Sequence, residues 1–230
     1  MRTGQRLPAA AAWLAVPGAL VALLLSSVGA GIGDSVTHSQ TSAVTDLMAE
    51  VGLWAGLLAT VVVASRVFGV GVRRDYGLAL RARDTLWGVL AFGGAFGAAE
   101  AIIAVFAGSR FAGSNVQILT QQKGHSAGLI VVALLVATGA PFFEELFFRG
   151  FLRTALQARL GPHGAIWAQA VLFGFAHAGE ASTALGNISV VVAMVAVGTV
   201  LGYTAKLTGR LGAGMVAHCL FNLVAVLSVI

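Results

Sequence analysis

Residues 127–152 read AGLIVVALLVATGAPFFEELFFRGFL. The first half is an apolar run, and the second sets Glu144, Glu145 and Arg149 among five phenylalanines. About 20 apolar residues cross a bilayer as one helix. A charge placed inside such a helix costs about 2.5–3.5 kcal/mol on the insertion scale. These three charges therefore need partners, a hydrated cavity or both, unless the stretch is an interfacial helix end that simply reaches water. Glu145 and Arg149 stand four apart, on one helix face and able to pair. Glu144 is turned about 100° from Glu145, so one acid can be held in the ion pair while the other faces a cavity.

The rest of the chain has the same character. Of 230 residues, 14 are Lys or Arg and 9 are Asp or Glu; 58% are hydrophobic, 10% are charged and the mean hydropathy is +0.90. A soluble domain carries about 25% charged residues. This chain has too little polar surface to cover a globule and is too apolar for disorder. Its 30 glycines follow no collagen period. The fold class is all-α, a polytopic transmembrane helix bundle of about seven spans over 8–30, 46–70, 84–107, 127–152, 163–178, 184–204 and 211–229. Residues 1–126 form an N-terminal group of about three spans, and residues 127–230 a core that carries the chemistry.

Basic residues set the topology. With the N-terminus in the cytoplasm, Arg2, Arg6, Arg73, Arg74, Arg81, Arg83, Arg153, Arg159, Lys206 and Arg210 fall on the cytoplasmic side. Only Arg110 and Lys123 fall outside, a positive-inside distribution. The net charge of +5 is explained by this bias, so no nucleic-acid partner is expected. The first segment could be a signal peptide ending near Val28-Gly29-Ala30, but an uncleaved span gives the same orientation. Gly52/Gly56, Gly93/Gly97 and Gly198/Gly202 have the small-xxx-small spacing that lets helices approach closely. A single cysteine, Cys219, excludes an internal disulfide and any Cys-based zinc cluster.

Two further polar pairs share the four-residue step: Phe173/His177, and His218/Asn222. Each pair stacks on one helix face. Glu144 and His177 lie about 25 and 22 Å from the turn near Gly161-Pro162 at the α-helical rise. An antiparallel hairpin thus brings them to one depth, where His218 can join them in a cavity opening inward. An acid, two imidazoles and an amide in a wet pocket can activate water: the carboxylate as general base, the amide or a protonated imidazole as oxyanion donor. Glu144, His177 and His218 could instead hold one divalent metal, zinc being the natural choice. Spacing does not separate these routes. His-Glu-x-x-His and Gly-x-Ser-x-Gly patterns and paired intramembrane aspartates are all missing.

The ordered set Glu144-Glu145-x-x-x-Arg149-Gly150, Phe173-x-x-x-His177 and His218-x-x-x-Asn222 resembles the three signature motifs of the CPBP intramembrane proteases, the family of CAAX prenyl endopeptidases and Abi-type proteins. The resemblance implies an intramembrane endopeptidase acting on a peptide or membrane-protein substrate. Glu144 would be the catalytic acid working with His177. His218 and Asn222 would stabilise the oxyanion or complete a metal site, and Glu145 and Arg149 would support them. The family is described both as metalloproteases and as metal-independent glutamate enzymes. The alternative is a non-enzymatic membrane scaffold or bacteriocin-immunity protein. Arginine far outnumbers lysine, which with the Ala/Gly/Val richness suggests a bacterial source and an inner-membrane location. A monomer is the default.

Among the other polar residues, Glu100 is read as the remaining intramembrane acid, able to line the cavity. His38, His125 and His163 are placed in solvated loops. Gln169 and Asn187 are candidates for hydrogen bonds across helices.

Overall fold

In a bilayer the backbone must satisfy its own hydrogen bonds, which leaves helices as the simple solution for so apolar a chain. The computed structural model describes residues 7–107, 119–122, 126–181 and 183–229. Among these no strand occurs. Arg2, Arg6, Arg110, Lys123 and His125 lie outside the described residues.

The helices are α1 (Ala15–Thr37, preceded by a 3-10 stretch Ala9–Leu14), α2 (Ala43–Phe68), the short α3 (Val72–Asp75), α4 (Arg83–Ala107), α5 (Ser126–Leu134), α6 (Ala140–Glu144), α7 (Arg153–Ala176), α8 (Ala184–Thr208) and α9 (Gly212–Leu227). Two π-helical stretches, Leu135–Gly139 and Glu145–Leu152, join α5 to α6 and α6 to α7. Such wide turns frequently mark functional sites.

Among the described residues five helical runs are long and apolar enough to cross a membrane: Ala9–Thr37, Ala43–Phe68, Arg83–Phe106, Ala127–Ala176 and Ala184–Thr208. That is fewer than the seven segments read from hydropathy, for two reasons. Gly212–Leu227 is apolar but only 16 residues long, short of the usual 20 or so. The run Ala127–Ala176 is continuous in hydrogen bonding, yet it contains Gly161 at φ 68°, ψ 175°. That conformation is open essentially to glycine alone. Pro162 follows, with its φ already suited to starting a helix. The chain reverses there. The rings of Phe148 and Phe173 lie 5.1 Å apart, whereas an unbroken helix would separate them by about 37 Å.

Small residues seat two of the expected contacts. A Cβ on Gly52 would lie 2.2 Å from the Leu25 carbonyl oxygen, and one on Gly56 2.3 Å from Ala22 Cα, so α1 and α2 touch backbone to backbone. On α8 a Cβ at Gly198 would meet Ala170 Cα at 3.0 Å, and one at Gly202 would meet Gln169 Nε2 at 2.8 Å. Gln169 donates from Nε2 to the Gly198 carbonyl at 2.9 Å, the interhelical bond expected of it. Gly93 and Gly97 do not follow the pattern: nothing lies within 4 Å of either Cβ position. Among the described residues no helix packs closely against that face of α4.

Asp84, at the start of α4, grips Arg210 in the α8–α9 connection, with Nε at 2.7 and 2.9 Å from the two carboxylate oxygens. The hydrogen bond to Asp84 raises the Arg210 pKa above its ordinary value. The buried core gathers around the second π-helical stretch, where Leu146, Phe147, Phe148, Phe151 and Leu152 pack with Phe173 and Leu201.

Candidate active site

The hairpin formed at Gly161 places the acid-bearing arm beside the histidine-bearing arm, with Phe173 at the centre of the join. Its ring lies 4.6 Å from the His177 ring and 5.9 Å from the His218 ring, centroid to centroid. The Arg149 guanidinium stands over the same ring at 4.0 Å, a cation–π contact that partly offsets the burial of that charge. Trp54 of α2 stacks on Phe143 at 4.9 Å. Its indole fills the space a Cβ on Gly139 would occupy. The turn just before Glu144 is thereby clamped from the N-terminal half of the chain.

The two neighbouring acids take separate roles, as their angular offset requires. Glu145 is fully buried, and its Oε1 lies 3.1 Å from Arg149 Nη1 and 3.2 Å from His218 Nδ1. The arginine contact has ion-pair distance without hydrogen-bond alignment. Gly214 leaves room for the carboxylate: a Cβ there would sit 2.7 Å from Glu145 Oε2. Glu144 points elsewhere, with its side chain 20% exposed and Oε2 at 3.8 Å from His218 Nε2. That gap is too long for a hydrogen bond.

Each imidazole is oriented through Nδ1. His177 closes α7, where its Nδ1 donates to the Phe173 carbonyl at 2.8 Å. A carbonyl can only accept, so Nδ1 carries the proton and Nε2 of the neutral ring keeps its lone pair. His218 Nδ1 faces the acceptor Glu145 in the same way. Asn222, one turn beyond His218, donates from Nδ2 to the Val136 carbonyl at 2.8 Å.

Glu144, His177, His218 and Asn222 all line one cavity of about 1260 Å³. The structure thus gathers the four expected residues around one cavity, while Glu145 and Arg149 are buried outside the cavity lining. Glu100 also reaches the cavity wall. So do Asp46, Glu50 and Glu180, which a reading with Glu100 as the remaining intramembrane acid misses. The four-residue step from Asp46 to Glu50, two acids on one face of an apolar helix, is the signal that could have found the first two.

The other polar expectations divide. His163 lies in the second arm of the hairpin, not in a loop; it is exposed, with Nδ1 at 2.9 Å from the Tyr203 hydroxyl and Nε2 at 2.9 Å from Lys206 Nζ. Asn187 bonds locally instead of across helices. Its Oδ1 accepts from Gly179 and Ala181, and its Nδ2 donates to the Ala181 and Thr183 carbonyls, which ties the loop after His177 to the start of α8. Cys219 is a half-buried free thiol.

By residue type the donor set suits a metal. Tying Nδ1 of a histidine to a carbonyl or carboxylate is what metal-ligating imidazoles commonly do. Even so, among the described residues no three His, Cys, Asp or Glu side chains gather closely enough to hold an ion. As placed, Glu144, His177 and His218 do not fit one.

These features define a membrane-embedded helical bundle with a mostly apolar hollow into which the polar residues of three motifs converge. Residues 126–224 match the family described as Type II CAAX prenyl endopeptidase Rce1-like. The matched stretch contains all three motifs, and the match supports the CPBP/CAAX protease family. Neither a curated protein nor a solved structure gives a significant match to the chain.

Proposed function

We propose that this integral membrane protein is an intramembrane endopeptidase in which Glu144 activates water. The observation that carries the reading is the convergence of Glu144, His177, His218 and Asn222, from separate helical segments, on one cavity. Glu144 takes a proton from water as the oxygen attacks the scissile carbonyl. His177 Nε2, free to accept, holds the water in line. The second N–H of Asn222 donates to the developing oxyanion, and His218, held at Nδ1 by Glu145, joins it when its ring carries both protons. The proton on Glu144 then passes to the departing amine, and the peptide bond breaks. No step requires a metal.

The substrate class is a peptide or membrane protein whose cleavable segment enters the cavity. We also place the N-terminus on the cytoplasmic side of a bacterial inner membrane. The cationic ends support this orientation: Arg159 lies over Trp13 at 5.5 Å, Lys206 sits beside His163, and Arg210 beside Asp84.

The test uses the purified full chain in lipid vesicles with a proteome-derived peptide library read by mass spectrometry. New peptide termini are expected with the wild type and none with Glu144→Gln or His177→Ala, both variants retaining helicity and thermal midpoint. Undiminished cleavage by Glu144→Gln would refute the assignment. Cleavage that persists after chelation supports the metal-free route, whereas loss on chelation and recovery with zinc would overturn it.

A further inference from the structure

Asn222 bonds to a backbone oxygen that lacks its ordinary helical donor. In an α-helix the Val136 carbonyl accepts from the N–H four residues on, that of Ala140. Here the Ala140 N–H goes to Leu135, the five-residue π step. The same step assigns Val136 to residue 141. That residue is proline, buried at the start of α6, and proline has no N–H to give. Val136 thus sits where the wide turn and the imino acid coincide, and its oxygen receives Asn222 Nδ2 at 2.8 Å.

We infer that Pro141 is a positioning residue for Asn222: by withholding an N–H from Val136, it keeps open the acceptor that sets the Asn222 amide on the cavity wall. An amide is planar, so fixing one N–H fixes the direction of the other and of Oδ1. The effect on activity rests on the proteolytic reading above; the effect on the amide does not.

Pro141→Ala puts the inference at risk without threatening the fold, because alanine is the better helix former. In the π register the N–H gained at position 141 reaches Val136, and if the turn tightens to the α register the Ala140 N–H does. In both cases Val136 gains a backbone donor that competes with Asn222 for its oxygen, and the anchor weakens.

The full chain is labelled with ¹⁵N-asparagine, and the Asn222 side-chain signal is identified by its disappearance in Asn222→Ala. In Pro141→Ala this signal should shift and exchange faster with water, while the Asn187 signal stays in place. Turnover of the library-derived peptide should fall about ten-fold in kcat, the scale of one hydrogen bond, with KM little changed. Adding Pro141→Ala to Asn222→Ala should cause no further loss. An unmoved Asn222 amide, or losses that multiply in the double variant, would overturn the inference. A wild type that cleaves no peptide would sink the proteolytic reading alone, since the amide signal still decides the role of Pro141.

Discussion

At the scale of single residues, a fully buried charge pair stands behind the cavity. Arg149 and Glu145 are both fully buried, and neither can reach water if its partner is removed. Arg149→Met should destabilise the protein by about 3–5 kcal/mol, whereas the double replacement Glu145→Gln/Arg149→Met, which leaves no lone charge, should recover most of that. Denaturation of the purified variants in detergent measures both. The pair was legible because a four-residue step fixes which side chains share a helix face. The anchor of Asn222 was not legible, because a backbone carbonyl has no letter of its own. Asp46 and Glu50 escaped for a related reason: which face of α2 borders a cavity is decided by the helices packed around it.

Identical glycine spacings at the element scale have opposite consequences. Gly56→Leu should prise α1 from α2 and lower the thermal midpoint markedly, since even a Cβ would strike Ala22. Gly93→Ala should be neutral or stabilising by up to about 1 kcal/mol, because it enters open space and relieves a glycine in a helix interior. Parallel thermal melts distinguish the two. Spacing alone marks a face as smooth; it does not say that another helix lies against it. Gly161→Ala should cost about 1–3 kcal/mol from its backbone conformation and loosen the contact of Phe148 with Phe173, visible as reduced cleavage. The hairpin itself could be read from the equal arm lengths on either side of Gly161. The count of spans could not, because hydropathy sees an apolar segment but not whether it is long enough alone.

For the whole molecule, orientation is the property with the most direct measurement. In a Cys219→Ser background, Arg73→Cys and Arg159→Cys should both react with an impermeant maleimide only when it is supplied from the cytoplasmic side of inverted vesicles. Labelling of either from the other side would reverse the topology. The hollow that holds the motif residues is also walled by Leu20 and Leu23 of α1, Leu53 of α2 and Ile103 of α4, none of which belongs to any motif. On the proteolytic reading proposed above, chemistry and cargo are shared out along the sequence: one stretch cuts, and another shapes what can be presented for cutting. A chimera that kept residues 126–224 and exchanged the first helices would change its diet while keeping its teeth.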